Sequence, residues 1–277
     1  MTVSVCIFIN SIIIKDNSLI MKVFFHEDFY EEYTSDPAAE TGRMEAIVKE
    51  IEPFVDIVSC EPASEENILA AHPKEHIEEI RRAGLFDIAA LAAGGAMQSA
   101  EAGMKEPSFG LISPPGHHAS KDYNWGFCFF NNMAISLYHL KRNNLVDRAF
   151  VLDFDYHFGD GNVDVLEDEP WVEILNPEAP ERPEYLNEVE TALSKTGADV
   201  IAVSAGFDNH VDDWGGMLQT DDYTLMAKWV RAAAARNGGG CYGILEGGYN
   251  QNVLGKNVLA FLQGLDSDLI TSGKSSL

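Results

Sequence analysis

The sequence predicts an α/β fold of one domain and three layers, a mostly parallel sheet covered on both faces by helices. Five short apolar runs read as strands: Lys22 to Phe25, Phe109 to Ile112, Ala149 to Asp153, Val200 to Ala205 and Tyr242 to Leu245. Their nearly unbroken hydrophobicity fits strands covered on both sides. Between them apolar residues recur at helical spacing, and strands alternating with such helices make a parallel sheet. No internal repeat or linker rich in Pro, Gly and Ser divides the chain, which argues for one domain.

Taken in order, Met21-Lys22-Val23-Phe24-Phe25 reads as the first strand, so residues 1–20 are expected to be an upstream extension. Their apolar stretch, Val3 to Ile14, is too short to span a bilayer. It also lacks the basic start and small-residue cleavage site of a signal peptide. Ser64 before Glu65 and Glu66 suits a helix N-cap. The alanine-rich stretch from Ile88 to Ala102 is a helix able to pack closely. Leu186, Val189 and Leu193 form one apolar stripe, and Leu225, Met226, Trp229, Val230 and Ala233 form another. The domain is expected over 21–265, with 266–277 as a tail.

Hydrophobic residues make up 46% of the 277 and charged residues 23%, ordinary globular usage that excludes disordered and collagen-like chains. With 19 Lys plus Arg against 44 Asp plus Glu, the formal charge of -25 repels phosphates and argues against direct nucleic-acid binding. Cys6, Cys60, Cys128 and Cys241 are widely spaced and form no C-x-x-C pair. That suggests neither a thiolate zinc site nor a disulfide framework and suits a reducing cytoplasm. No membrane partner is expected, and composition leaves homo-oligomer formation open.

In a parallel sheet, ligands collect beyond the carboxyl ends of the strands, so the residues after each strand carry the chemical information. The second apolar run leads into Ser113-Pro114-Pro115-Gly116-His117-His118-Ala119, a rigid turn with adjacent imidazoles. The third ends in Asp153-Phe154-Asp155-Tyr156-His157-Phe158-Gly159-Asp160. An extended backbone would point Asp153, Asp155 and His157 to one side. Three ionisable groups there are costly to bury unless they bind a metal or pair with one another. Asp208, after the fourth run, would complete a set with Asp155 and His157 that leaves zinc an open position, although an aspartate there is also an ordinary turn residue. After the last run come Gly247, Gly248 and Tyr249, glycines that permit close backbone approach and a phenol able to donate to an oxyanion.

Five ordered segments, Pro114-Pro115-Gly116-His117-His118-Ala119, Gly126-Phe127-Cys128, Asp153-Phe154-Asp155-Tyr156-His157, Ser204-Ala205-Gly206-Phe207-Asp208 and Gly247-Gly248-Tyr249-Asn250, resemble the signature of the histone deacetylase superfamily. That group also contains acetylpolyamine amidohydrolases and deacetylase-like proteins related to acetoin utilisation. The resemblance runs from about Met21 to Leu265 and implies an arginase/deacetylase-like fold. It implies one Zn(2+) per chain on Asp155, His157 and Asp208, with His117 and His118 beside the attacking water and Tyr249 polarising the substrate carbonyl. Asp153 would orient His117 and Asp160 would orient His118. Gly126 and Phe127 match a wall of an acyl-lysine channel, and Gly248 and Trp214 are further substrate-binding candidates. A structural monovalent cation, K+, is also implied near Asp153 to His157. The expected partner is a small-molecule or acyl-lysine substrate.

The chain departs from this pattern in several places. Ser113 stands where arginine is common, and Phe158 where a further histidine is common. The connection from Leu175 to Tyr185 is short and lacks the glycine-containing loop that supplies a second aromatic wall. Trp214 stands near a rim position that often holds leucine, as a narrowing of the entrance or as a buried anchor. Asp212 and Asp213 are candidates for a carboxylate at the pocket mouth that would favour cationic polyamines, and are expected rather to be solvated loop charges. The rival readings are an arginase-like binuclear manganese hydrolase, which needs more carboxylate ligands, and a catalytically silent acyl-lysine binder, which needs no general base.

Overall fold

The computed structural model describes residues 20–266, so the expected extension and tail lie outside the described residues except for Ile20 and Asp266. Seven strands form one parallel sheet: β1 Lys22–Phe25, β2 Asp56–Ser59, β3 Ser108–Gly110, β4 Ala149–Asp153, β5 Val172–Leu175, β6 Val200–Ala205 and β7 Gly240–Leu245, in the spatial order β2-β1-β3-β7-β6-β4-β5. The five anticipated strands are present with ends shifted by up to two residues. β2 and β5 were not anticipated. They are the two edge strands, only partly buried, and Asp56 and Glu173 interrupt their apolar signal.

The inner strands β3, β4, β6 and β7 are buried at every residue, as both-face coverage requires. Cover comes from two sets of helices. α1 Arg43–Ile51, α7 Arg182–Lys195, α8 Thr220–Asn237 and α9 Gln251–Leu265 pack in succession. α2 Glu65–Ile68, α3 Lys74–Arg82, α4 Phe86–Gly103, α5 Asn132–Arg142 and α6 Asp160–Leu166 form the other set. α4 is the anticipated alanine-rich helix, and its small side chains let it lie against β3, β7 and β1. Ser64 caps α2, its hydroxyl accepting the Asn67 N–H at 3.3 Å. On α8 the buried stripe is Tyr223, Met226, Ala227, Val230 and Ala233, rotated from the expected one so that Leu225 is exposed.

Strand order positions the site. β3, β7, β6 and β4 are consecutive neighbours, and in register Asp153 lies opposite Ser204, Ala205 opposite Leu245 and Gly110 opposite Ile244. Four carboxyl ends therefore stand level and adjacent, which brings together segments up to about 130 residues apart, such as Gly116 and Glu246.

Candidate active site

β4 stops at Asp153, and the chain then bends through Asp155 to His157 instead of continuing extended. The bend is fixed by Asp155 Oδ1, which accepts the His157 backbone N–H at 2.9 Å. The convergence anticipated for an extended strand is thus achieved by a turn. His157 Nδ1 lies 3.1 Å from Asp155 Oδ1 and 3.0 Å from Asp208 Oδ2. Asp208, in the loop after β6, accepts the Tyr156 N–H on its Oδ1 at 3.0 Å. Both carboxylates are buried. Gly247 closes the far side, donating its N–H to Asp155 Oδ2 at 2.8 Å, and a Cβ there would come within 2.6 and 2.7 Å of the Asp155 and Asp208 oxygens.

The carboxylates and imidazoles of the cluster shift one another strongly. Burial favours the neutral acid at Asp155, yet the His117 and His157 imidazoles hold it well below the usual carboxylate range. Asp208 is pushed up to about 6, by burial first and then by the Asp155 charge. Hydrogen bonds to Asp155 and then Asp208 raise His157 to about 10. Asp208 Oδ2 is buried, with His157 Nδ1 at 3.0 Å as its polar neighbour. Two carboxylates and an imidazole nitrogen with their ligand atoms within 4.8 Å of one another fit a divalent metal, and the O/N donor set suits zinc.

The paired histidines stand next to this cluster, with ring centroids 4.0 Å apart. Each has its own carboxylate: His117 Nδ1 lies 3.2 Å from Asp153 Oδ2, and His118 Nδ1 lies 2.6 Å from Asp160 Oδ1. The far nitrogen of His117 is 3.8 Å from Asp155 Oδ1. A carboxylate on one ring nitrogen fixes the tautomer and leaves the other facing the site. Burial, followed by the His117 charge, pushes His118 down to about 4. Trp125 covers His118, its indole centroid 4.0 Å from the imidazole, and donates its N–H to Asp160 Oδ2 at 2.8 Å. Sequence reasoning missed this residue because a loop tryptophan carries no spacing signal.

Tyr249 faces the same space. Its ring is stacked by Trp214 at 4.0 Å and met edge-on by Phe127 at 6.2 Å. Trp214 is half exposed, so the buried-anchor reading does not hold. Gly126 packs its backbone against the His118 ring, leaving no room for a Cβ. Gly248 adopts φ 116°, and its carbonyl accepts Arg43 Nε at 2.8 Å. Arg43, buried on α1, also donates to the Glu246 carbonyl at 2.6 Å and to the Ala38 carbonyl at 3.3 Å. It was not anticipated, since an arginine on a helix reads as surface charge. Ser113 bonds the Tyr33 hydroxyl at 2.7 Å and the same Ala38 carbonyl at 3.3 Å. Phe158 is half exposed.

Asp213 departs from expectation. Its Oδ2 accepts the N–H groups of Tyr249 and Asn250 at 2.9 and 2.8 Å, and its Oδ1 accepts the Trp214 N–H at 2.9 Å. It is a structural acceptor for the tyrosine segment rather than a solvated charge. The short connection after β5 borders a cavity of about 240 Å³ lined by Tyr156, Phe158, Pro177, Pro180 and Met217 beside Asp153 and Asp155.

Comparison with known proteins bears on the family and the fold. The model of the histone deacetylase domain matches residues 38–177 and 174–265. A probable deacetylase of Methanothermobacter thermautotrophicus is 31% identical, over 89% of this chain and 91% of that protein. A histone deacetylase-like amidohydrolase of Pseudomonas aeruginosa is 31% identical over 70% of this chain and 66% of its own length. The polyamine deacetylase HDAC10 of Danio rerio is 26% identical over 84% of this chain and 41% of its own. Among solved structures, the crystal structure of the HDA15 HD domain superposes with a TM-score of 0.76, covering 93% of this chain and 91% of that one at 19% identity. With a sheet order that gathers the paired histidines, the carboxylate cluster and the tyrosine, and a family match spanning most of the described residues, the chain belongs to the histone deacetylase domain family.

Proposed function

We propose that the protein is a zinc-dependent amidohydrolase that removes an acyl group, acetyl foremost, from an amine such as acetyl-lysine or an acetylated polyamine. The observation that carries this reading is the convergence of Asp155, His157 and Asp208 with two carboxylate-backed histidines and Tyr249 at four adjacent strand ends. The relatives named deacetylase and amidohydrolase support hydrolysis, and the one named polyamine deacetylase supports keeping polyamines among the substrates.

Asp155, His157 and Asp208 would hold the metal. When bound, zinc supplies Lewis-acid polarisation of the amide carbonyl and acidifies water at its open position toward ~7. His118, neutral and with Nδ1 turned to Asp160, takes the proton of the attacking water on its other nitrogen. Tyr249 keeps its hydroxyl proton, since burial and then the Asp155 and Asp208 charges raise its pKa far above 10, and so donates to the developing oxyanion. Collapse requires a proton on the leaving amine, from His118 or from His117. Phe127 and Trp214 flank the phenol and bound the acyl path. A binuclear manganese centre is disfavoured, because the further buried acids Asp153 and Glu246 are bonded to His117 and to backbone amides.

The test is amine release from acetyl-lysine peptide, acetylated polyamines and a longer acyl-lysine by zinc-loaded protein, beside Tyr249→Phe and Asp208→Ala. Tyr249→Phe is expected to lower kcat by about 100- to 1,000-fold, the cost of one oxyanion donor. Full turnover in Tyr249→Phe would sink the role given to Tyr249. Two metals per chain with manganese-dependent urea release would sink the whole reading.

A further inference from the structure

Glu246 follows β7, is wholly buried, and takes no part in the chemistry above. Its Oε2 accepts the N–H groups of Gly116 and His117 at 2.7 and 3.2 Å, and its Oε1 accepts the Ser204 hydroxyl at 3.0 Å. All three of these hydrogen bonds come from neutral donors. The contacts continue into a closed circuit. Asn162 Nδ2 donates to Ser204 Oγ at 3.1 Å and to Asp153 Oδ2 at 2.9 Å, and Asp153 Oδ2 faces His117 Nδ1 at 3.2 Å. The Asn162 backbone N–H donates to the His117 carbonyl at 3.0 Å. His117 is therefore gripped at its ring, its carbonyl and its amide, and the amide grip belongs to Glu246.

A metal role for Glu246 is the competing possibility, since His117, Cys128 and Glu246 bring ligand atoms within 4.8 Å of one another. These side chains are already engaged: both Glu246 oxygens accept hydrogen bonds, Cys128 Sγ accepts the His118 N–H at 3.4 Å, and the His117 ring is held through Nδ1 by Asp153. The geometry favours holding over ligation.

We propose that Glu246 is the positioning residue of the paired-histidine turn, its carboxylate seating the Gly116 and His117 amides so that both imidazoles face the metal cluster. The catalytic half of this statement rests on the hydrolytic reading above. The seating itself does not.

Two variants separate reach from charge. Glu246→Gln keeps an oxygen at the length needed for both amides, and its NH2 can donate to Ser204 Oγ, which has lone pairs to accept it. Glu246→Asp keeps the charge and is one methylene too short. Kinetics on the substrate panel are read together with residue-resolved amide hydrogen exchange at Gly116 and His117. Glu246→Gln is expected within about threefold of wild type in kcat and exchange. Glu246→Asp is expected to lose about 100-fold in kcat, the scale of a 1 Å misplacement, with KM within about threefold and exchange at both amides at least about tenfold faster. A fall in Glu246→Gln, whether or not Glu246→Asp falls with it, would overturn the proposal, as would wild-type behaviour in both variants. Should the wild type turn over no panel member, the hydrolytic reading fails while the exchange comparison still decides the seating.

Discussion

The Trp214 indole lies on the Tyr249 phenol with ring centroids 4.0 Å apart and planes 24° apart. The preceding residue, Asp213, takes the Tyr249 and Asn250 N–H groups on one oxygen, so two consecutive residues of the loop after β6 hold the tyrosine by its ring and by its backbone.

The ring contact predicts a modest and selective effect. An aromatic pair is worth about 0.5–1.5 kcal/mol beyond its buried area. Trp214→Ala is therefore expected to lower kcat/KM about 2- to 10-fold, and Trp214→Phe by less. Steady-state kinetics on the best panel substrate checks this; unchanged kcat/KM in Trp214→Ala would detach the stack from turnover.

The backbone contact predicts a larger structural effect. Hydrogen bonds to a charged group contribute about 1.5–3 kcal/mol each, and Asp213 is partly solvated, so Asp213→Ala should lose about 1–3 kcal/mol of stability in urea denaturation. Asp212→Ala, at its exposed neighbour, should stay within about 0.5 kcal/mol. Equal losses at the two positions would show that the Asp213 bonds add nothing.

Metal binding should appear as stability. The carboxylates of Asp155 and Asp208 share one buried pocket, and a cation bound only by the folded chain stabilises it by about 4 kcal/mol at 1,000 times its dissociation constant. Chelation should lower Tm, zinc should restore it, and Asp208→Ala should abolish the response. A zinc response in Asp208→Ala equal to that of wild type would exclude Asp208 as a ligand.

The loop that carries Trp125 and Phe127 depends on a neutral histidine. His72 Nδ1 donates to the Lys121 carbonyl at 3.0 Å, and its Nε2 accepts the Asn131 N–H at 2.8 Å, so protonation would remove that acceptor. Burial, followed by the nearby His76, pushes His72 down to about 4 from 6.5. The unfolded chain then binds the extra proton between those values, so stability is fully present above pH 6.5 and falls as the pH drops toward 4. The depression corresponds to roughly 3 kcal/mol. Unfolding free energies across this window should fall more steeply in wild type than in His72→Gln; parallel curves would remove His72 from the acid response.

Much of the site was legible because its chemistry is written in short segments. Asp153, Asp155 and His157 fall within five residues, His117 and His118 are adjacent, and each segment follows a run apolar enough to be an inner strand. A buried strand announces itself by unbroken hydrophobicity, and an ionisable group at its end by the cost of putting it there.

What tertiary structure decided is everything carried by long-range pairing. The edge strands β2 and β5 are half-exposed and so lack that signal. The order β3-β7-β6-β4 makes neighbours of Gly116 and Glu246, and the packing of α1 on α9 sets Arg43 against Gly248, 205 residues away. Glu246, Arg43, Asp213 and Trp125 act through bonds to distant backbone or side chains, and a lone charge or ring in sequence does not name its partner. The sequence by itself determined the parallel α/β class and the chemical identity of the candidate ligands and histidines, because periodicity and burial cost are local properties. Which buried groups hold those residues in place was decided only by the folded chain, because hydrogen-bond partners are a property of three-dimensional proximity.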